Sequence, residues 1–444
     1  MTNIANEDQI ATVFNQRLCI SCGVCNLNRR THFSFDKQGY LLPNDTSAID
    51  IGVCPMVSPF SEDDIASKKF SAAQKYDEGI GYFNSIRAAK VRAKDRIKKR
   101  SSGGIITFIL EKLLLSKEVD AIATVFPHDE EPYFRYELCD DPKRLSFAAT
   151  SAYYPVEASE VLAEAKRRNI KIAITGLPCT IKGVNNLMQM SPEMEGIIKY
   201  QVSLICGHLK TSKYLELLSR QTKEIKKPLH NFREKGDSSP AKEKYFGKKN
   251  GDESIIARTS TLHGGTYNYG FFQYNGCNYC DDIIGETADI SVGDAWLPEY
   301  VERSEGMSLC ISRNKRISEL LEDDGVVSDQ LSPRDVIEAQ AGGYRQRREG
   351  LKTRLDEFPI VGIRKRTRLL PVRVSARRKA IYRARYVLAQ RSIDYYEDGI
   401  SIDLYIKRMA PALEALKALQ ADSLLFRVYM KILRELRKTF KFTK

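Results

Sequence analysis

Short apolar runs alternate with helical segments through the middle of the chain. Residues 119–126, 170–176 and 197–206 are predominantly apolar runs of strand length. The segments 159–169 and 180–190 carry apolar residues at helical spacing. Strands separated by helices are typical of an α/β layer with parallel pairing. The pattern therefore predicts an α/β fold, with ligands expected at the carboxyl ends of the strands.

The flanking segments give less regular patterns. Residues 105–114 and 211–221 have helical spacing, and residues 290–294 predict a buried strand that ends in an exposed turn. The alternating aromatic residues of 267–274 predict strand core rather than a nucleic-acid stacking platform. Residues 61–100 are polar and basic, which predicts a solvated helix or linker.

Beyond about residue 330 the chain becomes basic and helical. Residues 345–391 are dense in arginine, and residues 401–439 predict amphipathic helices. Such a region usually presents a solvated face, although it could also dock an acidic partner or anionic lipid head groups of a membrane. No nucleic-acid-binding motif accompanies it, so we expect no nucleic acid partner.

Composition narrows the environment. The chain has 444 residues, of which 42% are hydrophobic and 29% charged, with a net charge of +13. No apolar run reaches the roughly 18 residues of a membrane span, and the N-terminus lacks a secretory pattern. We therefore expect a reducing, cytoplasmic setting, where most of the ten cysteines would bind metal. Two of them, Cys139 and Cys310, are expected to be core thiols.

The first cysteine motif predicts an iron–sulfur cluster. Cys19, Cys22 and Cys25 are spaced three residues apart, and Cys54 precedes a proline. In bacterial ferredoxins such a triple binds three corners of a cubane, and a distant Cys-Pro supplies the fourth ligand. Gly23 permits the tight backbone that this loop requires. The alternative, a structural zinc site, normally uses two Cys-x-x-Cys pairs, so the triple favours a 4Fe–4S cluster.

Four further cysteines could form a second site. Cys277 and Cys280 form a Cys-x-x-Cys pair that lacks two partners. Cys179 and Cys206 each follow a predicted strand, at the edge where α/β sheets bind ligands. Any one of them could be an ordinary buried thiol. Taken together, the four predict a second 4Fe–4S site.

Two segments could bind an anion. A Ser-Ser-Gly-Gly turn at 101–104 precedes a predicted helix, where backbone N–H groups and the helix dipole suit a phosphate. Many helices begin with Ser-Gly as a plain cap, so the residues alone leave both readings open. Arg233 and Lys235 would share one face of an extended segment and could clamp a phosphate or carboxylate, although surface charge is the commoner explanation.

Together the motifs resemble the coenzyme F420 hydrogenase/dehydrogenase beta-subunit family, which includes ferredoxin-dependent hydroxymethyl chlorophyll reductases. The matching motifs, in family order over roughly residues 15–300, are Cys19-x-x-Cys22-Gly-x-Cys25 with Cys54-Pro55, Ser102-Gly103-Gly104-x-x-Thr107, Ser151-x-Tyr153-x-Pro155, Gly176-x-Pro178-Cys179, Cys206, Phe232-Arg233-x-Lys235, Cys277-x-x-Cys280 and Ala288-Asp289-Ile290-Ser291-x-Gly293-Asp294-x-Trp296. About 100 residues at the C-terminus lie outside the resemblance.

The resemblance implies an FAD-containing iron–sulfur oxidoreductase. The residues that it implies for the phosphate of FAD are Ser102, Gly103, Gly104 and Thr107. Those that it implies for the wall of the flavin and substrate pocket are Ser151, Tyr153, Arg233, Lys235, Asp289, Ser291, Gly293 and Asp294. It also supports the second cluster. It leaves the substrate open among deazaflavin, tetrapyrrole and polysaccharide-related compounds.

We therefore expect an α/β protein with α+β elements in three parts: a ferredoxin-like 4Fe–4S segment (1–60), an FAD and 4Fe–4S catalytic domain (61–335) and a basic helical extension (336–444). In one hypothesis it is an enzyme that passes electrons between a ferredoxin-type donor, two clusters, FAD and an organic substrate. The basic surface would suit an acidic ferredoxin. The alternatives are a non-catalytic electron-transfer subunit of a larger hydrogenase or reductase, and a zinc-stapled protein recruited to anionic surfaces.

Overall fold

The computed structural model describes residues 2–72, 75–93, 102–148, 151–222, 232, 245–250, 253–303, 305–360 and 372–421. Its strands are β1 (Phe33–Phe35), β2 (Leu41–Pro43), β3 (Lys75–Asp77), β4 (Gly81–Phe83), β5 (Ser85–Val91), β6 (Ala121–Pro127), β7 (Phe134–Cys139), β8 (Ile172–Gly176), β9 (Ile198–Leu204), β10 (Tyr245–Asn250), β11 (Glu253–Arg258), β12 (Ile290–Asp294), β13 (Ser308–Ser312) and β14 (Val326–Gln330).

The helices follow in chain order. They are α1 (Thr2–Asn15), α2 (Glu62–Phe70), α3 (Ile105–Leu115), α4 (Ser159–Arg168), α5 (Pro178–Met190), α6 (Pro192–Ile197), α7 (Lys213–Gln221), α8 (Pro298–Val301), α9 (Lys315–Leu320), α10 (Pro333–Ala339), α11 (Ala341–Arg345), α12 (Leu351–Glu357), α13 (Ala376–Asp394) and α14 (Ile402–Gln420), with a π-helical turn (Gln346–Gly350) between α11 and α12. Among the described residues, no helix is both long and apolar enough to cross a membrane.

One eight-stranded mixed sheet organises the fold, in the order β14-β5-β13-β12-β9-β8-β6-β7. The central strands β12, β9, β8 and β6 pair in parallel, and the outer strands pair antiparallel. Every residue of β8 is buried, as expected for a strand covered by helices on both faces. The predicted α/β layer with parallel pairing is confirmed for β6, β8 and β9.

Two predictions for the flanks of the sheet are wrong. The expected linker over 61–100 contains β5, which lies inside the sheet between β14 and β13. Its charged residues Arg87 and Lys90 obscure the strand pattern, and they form ion pairs with Glu322 and Glu305. The aromatic segment 267–274 is not a strand: it is a short 3-10 helix and irregular chain.

Backbone geometry explains the irregular aromatic segment. Gly270 and Phe272 adopt left-handed conformations with φ of 79° and 55°, which an extended strand excludes. Phe271, Phe272 and Tyr274 are all buried in one aromatic cluster rather than alternating between two faces.

The basic C-terminal region packs on the molecule instead of forming the solvated face that its charge suggests. Helices α13 and α14 contact each other and cover the same aromatic cluster, where Phe272 lies edge-on to Tyr396 at 5.3 Å. Buried Tyr405 donates a hydrogen bond to the carbonyl of Ser392 at 3.0 Å. The expected domain boundary between residues 335 and 336 falls within α10.

Candidate functional site

The N-terminal cysteine group comprises Cys19, Cys22, Cys25 and Cys54. A tight loop carries the first three: Gly23 has a φ of 70°, and a β-carbon there would lie 2.4 Å from the carboxylate of Glu157. These contacts make glycine necessary at this position. The fourth cysteine follows a 3-10 turn (Ile51–Val53). The backbone N–H of Ser21 donates to Cys19 Sγ at 3.4 Å.

The inner cysteine group comprises Cys179, Cys206, Cys277 and Cys280, which together line one small cavity. Cys179 opens α5 directly after β8, and Cys206 follows β9, so both lie at the carboxyl edge of the parallel strands. Cys277 and Cys280 lie on and just after a 3-10 turn (Asn275–Tyr279). Leu209 donates its backbone N–H to Cys277 Sγ at 3.2 Å.

Each group behaves electrostatically as a set of neighbouring thiols. Burial, together with the charge of Cys54, raises the pKa of Cys19 to about 12. Burial raises the pKa of Cys25 as well, with added repulsion from the other three members of its group. In the inner group, burial raises the pKa of Cys179, and Cys280, Cys206 and Cys277 add to the effect. Binding of a metal or cluster would replace the protons of such thiols.

The number and type of donors in each group limit what it could hold. Among the described residues, no three His, Cys, Asp or Glu side chains are placed to hold a single metal ion. Zinc draws four ligands around one atom, whereas a cubane distributes its four cysteines over four irons. Each group supplies the four thiolates that a cubane or a tetrahedral zinc site would use.

The two groups are neighbours. The charge of Cys22 raises the pKa of Cys179, which belongs to the other group. The charges of both thiols also raise the pKa of the buried Tyr136 hydroxyl. Ile20, from the N-terminal loop, lines the small cavity of the inner group. A β-carbon on Gly276 would lie 2.4 Å from the carbonyl oxygen of Leu18, so the two loops are in close contact.

Arg347 completes the inner group and was not predicted from the sequence. Its side chain is 4% exposed and lines the cavity of the inner group. It donates hydrogen bonds to the carbonyl oxygens of Cys277 and Gly207. Its charge lowers the pKa of Cys277, which burial nevertheless holds at about 11. Its Nε is buried without a hydrogen-bond partner among the described residues, so it could donate to a bound sulfur.

A helical pattern could have revealed this arginine. Tyr344, Arg347, Leu351 and Arg354 follow one another at spacings of three and four residues, which places them on one helical face. All four are buried. The density of arginine around them obscured the pattern, because such segments usually face solvent.

A large cavity of about 1040 Å³ adjoins the inner group and shares Cys206 and Cys277 with it. We call it the central cavity. The carboxyl ends of the four parallel strands line it, including Val125, Gly176, Ile205 and Asp294. This is the edge at which open α/β sheets bind ligands. Its volume is at the upper end of the range for small-molecule and cofactor sites in proteins.

The Ser-Gly turn contributes to one wall of the central cavity. Ser102, Gly104 and Thr107 line it, and Gly104 begins α3 with a φ of 80° and no side-chain cap. The N-terminus of α3 thus begins at the cavity wall, where the helix dipole would favour an anionic ligand. Gly103 holds the turn in place, because its N–H donates a hydrogen bond to Ser308 Oγ at 3.1 Å. A β-carbon there would lie 2.4 Å from a carbonyl oxygen of β5.

Four more predicted residues, Ser151, Tyr153, Gly293 and Asp294, also line the central cavity. The structure places Asp289 and Ser291 elsewhere, in a buried polar network. Asp289 forms an ion pair with Lys69 at 3.4 Å. Ser291 Oγ accepts a hydrogen bond from Arg313 at 2.9 Å. Arg233 and Lys235 lie outside the described residues.

His208 and Tyr267 form a further part of the cavity wall that the sequence reasoning missed. Their rings stack at 4.0 Å between centroids, next to Cys206. Burial and the charges of Lys210, Arg347 and Arg385 hold the pKa of His208 well below its usual range. The neutral ring keeps an unpartnered Nε2 among the described residues, so it could bond to a cavity ligand. The position of His208 just after β9 could have indicated its role from the sequence, because α/β sheets bind ligands at the carboxyl ends of their strands.

Comparison with known proteins gives matches over the same region. The model for the coenzyme F420 hydrogenase/dehydrogenase beta subunit N-terminus matches residues 86–163, and the model for its C terminus matches residues 170–331. Together they span more than half of the chain. An uncharacterized protein of Methanocaldococcus jannaschii is 25% identical over 253 residues, covering 54% of this chain and 62% of that relative. The chain therefore spans less than two thirds of the relative's length.

A solved structure also aligns with the chain. It is described as a xenon derivatization of the F420-reducing NiFe hydrogenase complex from Methanosarcina barkeri. The match has 18% identity and a TM-score of 0.49, and it covers 65% of this chain and 98% of that chain.

Proposed function

The chain belongs to the coenzyme F420 hydrogenase/dehydrogenase beta-subunit family, a family of oxidoreductases, and from this premise we propose that it is an iron–sulfur flavoprotein. In this proposal it passes electrons between a protein donor and an organic substrate. The N-terminal cysteine group and the inner cysteine group would each hold a 4Fe–4S cluster. The central cavity would hold FAD and the substrate.

The observation that carries the proposal is the continuity of the three sites. The loop of the N-terminal group closely approaches that of the inner group at Leu18 and Gly276, and Cys22 acts electrostatically on Cys179. The inner group shares Cys206 and Cys277 with the central cavity. Clusters supply one-electron transfer, and a flavin links it to two-electron hydride chemistry. Contiguous sites of these kinds are what such a conversion requires.

The chain's own residues have definite tasks in this proposal. The uncapped N-terminus of α3 would bind the pyrophosphate of FAD, with Thr107 nearby. Stacked His208 and Tyr267 would separate the inner group from solvent on the cavity side. Because His208 stays neutral, it would serve as a hydrogen-bond partner rather than a proton source. An acidic ferredoxin is the donor that best suits the net charge of +13.

Anaerobic purification tests the proposal directly. The protein should carry flavin absorbance, broad iron–sulfur absorbance and about eight irons per chain. Cys54→Ser and Cys280→Ser should each lose about half of the iron, whereas Cys310→Ser, a buried core thiol in β13, should lose none. A flavin-free protein with zinc as its only metal would contradict the proposal.

A second candidate function is electron transfer without a substrate of its own. The family's description as a beta subunit favours it, because a beta subunit works within a larger assembly. Cofactor content would be the same in both cases. Turnover separates them: the isolated chain should reduce a small acceptor with reduced ferredoxin if it is the complete enzyme, and should need a co-purifying partner otherwise.

A further inference from the structure

The central cavity has a strongly positive lining. Among its described lining residues are six arginines, no lysine, and Asp294 as the only acidic side chain. The arginines are Arg258, Arg345, Arg347, Arg354, Arg378 and Arg385. All except Arg258 follow residue 331, beyond the region that the family models match. The charge on this side of the cavity is therefore a property of the C-terminal region.

Three of these arginines already bond to the protein. Arg347 donates to the carbonyl oxygens of Cys277 and Gly207. Arg354 donates to the carbonyl oxygen of Asn278 at 2.6 Å. Arg378 forms an ion pair with Glu349 at 3.0 Å. Their roles in the fold are thus accounted for.

Arg345 and Arg385 differ from these three. Neither guanidinium bonds to a carboxylate or to a backbone carbonyl oxygen of a described residue, although both line the central cavity. Arg345 is exposed and Arg385 is half-buried. The side-chain oxygen of Gln420 accepts from Nη2 and Nε of Arg385 at 3.0 and 3.3 Å when that amide is turned, which leaves the other terminal nitrogen of Arg385 for a ligand. Burial lowers the pKa of Arg385, and repulsion from Arg378 and Arg345 adds to the effect. An anion between Arg345 and Arg385 would relieve this repulsion.

The chemistry of the ligand follows from the side chains. A guanidinium presents a planar fork of donors that matches carboxylate and phosphate oxygens. The position follows from the lining: Arg345 and Arg385 line the same cavity as Cys206 and Cys277 of the inner cysteine group. A ligand held by the two arginines would therefore share the cavity with that group.

We propose that Arg345 and Arg385 bind a carboxylate or phosphate group of the organic substrate in the central cavity. The inference rests on the proposed function, and it narrows the substrate to an acidic compound. FAD also carries phosphate, but the proposed function assigns that phosphate to the N-terminus of α3, on another element of the same cavity. The two arginines are thus assigned to the substrate and not to the flavin.

The test uses the purified holoprotein with inorganic pyrophosphate and citrate as probes. Affinities are measured by calorimetry at an ionic strength of about 0.15 M, where exposed charges are screened. Arg345→Gln and Arg385→Gln should each weaken probe binding about tenfold or more, the loss expected for a charge-assisted hydrogen bond. Arg385→Lys should weaken it less. Arg391→Gln is the control, because Arg391 is exposed on α13 and does not line the cavity.

Flavin and iron are assayed in the same preparations. The proposal expects both arginine variants to retain wild-type flavin and iron and to melt with the wild type. Unchanged probe affinity in these folded variants would overturn it. Loss of flavin from either variant would also overturn it, because the arginines would then hold the flavin phosphate. Absence of flavin and iron from the wild type would instead overturn the proposed function, and the probe titration remains readable in that case.

Discussion

Replacing Arg347 with glutamine removes a fixed positive charge from the inner cysteine group. The guanidinium is 4% exposed and lowers the pKa of Cys206, Cys277 and Cys280. The same charge would stabilise the reduced state of a cluster held there, because reduction adds an electron. We therefore expect Arg347→Gln to make the reduction potential of that cluster more negative.

The size of the shift follows from electrostatics. At an effective dielectric constant of about 20, a unit charge contributes about 4 kcal/mol at 4 Å and about half of that at twice the distance. A free energy of 1.4 kcal/mol is a tenfold change in the equilibrium constant, which corresponds to about 59 mV for one electron. A buried guanidinium beside the group should thus raise the potential by on the order of 100 mV.

The assay is an anaerobic redox titration followed by electron paramagnetic resonance. Arg383→Gln provides the control, since Arg383 is exposed on α13 and pairs with Glu357 at 2.7 Å. Arg347→Lys keeps the charge and should shift the potential less than the glutamine variant. If the glutamine variant loses iron, the redox titration is carried out on Arg347→Lys instead. A potential that moves no further in Arg347→Gln than in the control, with iron retained, would refute the electrostatic role.

Three further outcomes are expected. Gly103→Ala should destabilise the protein by about 1–3 kcal/mol, because its β-carbon would lie 2.4 Å from a backbone carbonyl oxygen. Gly196→Ala is the control: its β-carbon would have no atom within 4 Å, so this variant should be neutral or stabilising in thermal melts. Cys280→Ser should remove part of the visible iron–sulfur absorbance, and the same spectrum should survive Cys310→Ser. Burial and a nearby lysine lower the pKa of His263 in the folded protein. As the pH falls, the unfolded chain therefore protonates this histidine first. The free energy of unfolding of the wild type, relative to that of His263→Gln, should fall from pH 8 to pH 5.5. Denaturant titrations that give a pH-independent difference would contradict this last expectation.

The central strands could be predicted because burial on both faces leaves a simple signature. β6, β8 and β9 read directly as apolar runs. Strand β5 could not, because Arg87 and Lys90 belong to its pattern only once Glu322 and Glu305 are folded beside them. Ion-pair partners so far apart in the sequence cannot be recognised from the local sequence pattern.

The candidate site shows the same division. The cysteines stand out because a cluster requires particular residues at particular spacings, and the structure gathers them into the two expected groups. Arg347 and His208 leave weaker signals, a helical spacing among many arginines and a position just after β9. The role of Arg347 comes from its burial beside the inner group, which the tertiary packing of the turn after α11 establishes.

The dependence of the inner group on Arg347 also has a consequence for biosynthesis. All eight cysteines of the two groups precede Arg347 in the chain. At roughly 5–20 residues per second, the ribosome delivers the last of them several seconds before the arginine that covers the group. During that interval the carbonyl groups of Cys277 and Gly207 lack their buried donor. If a cluster is inserted before the segment that carries Arg347 has docked, the site would still be open. If it is inserted afterwards, the site would be closed.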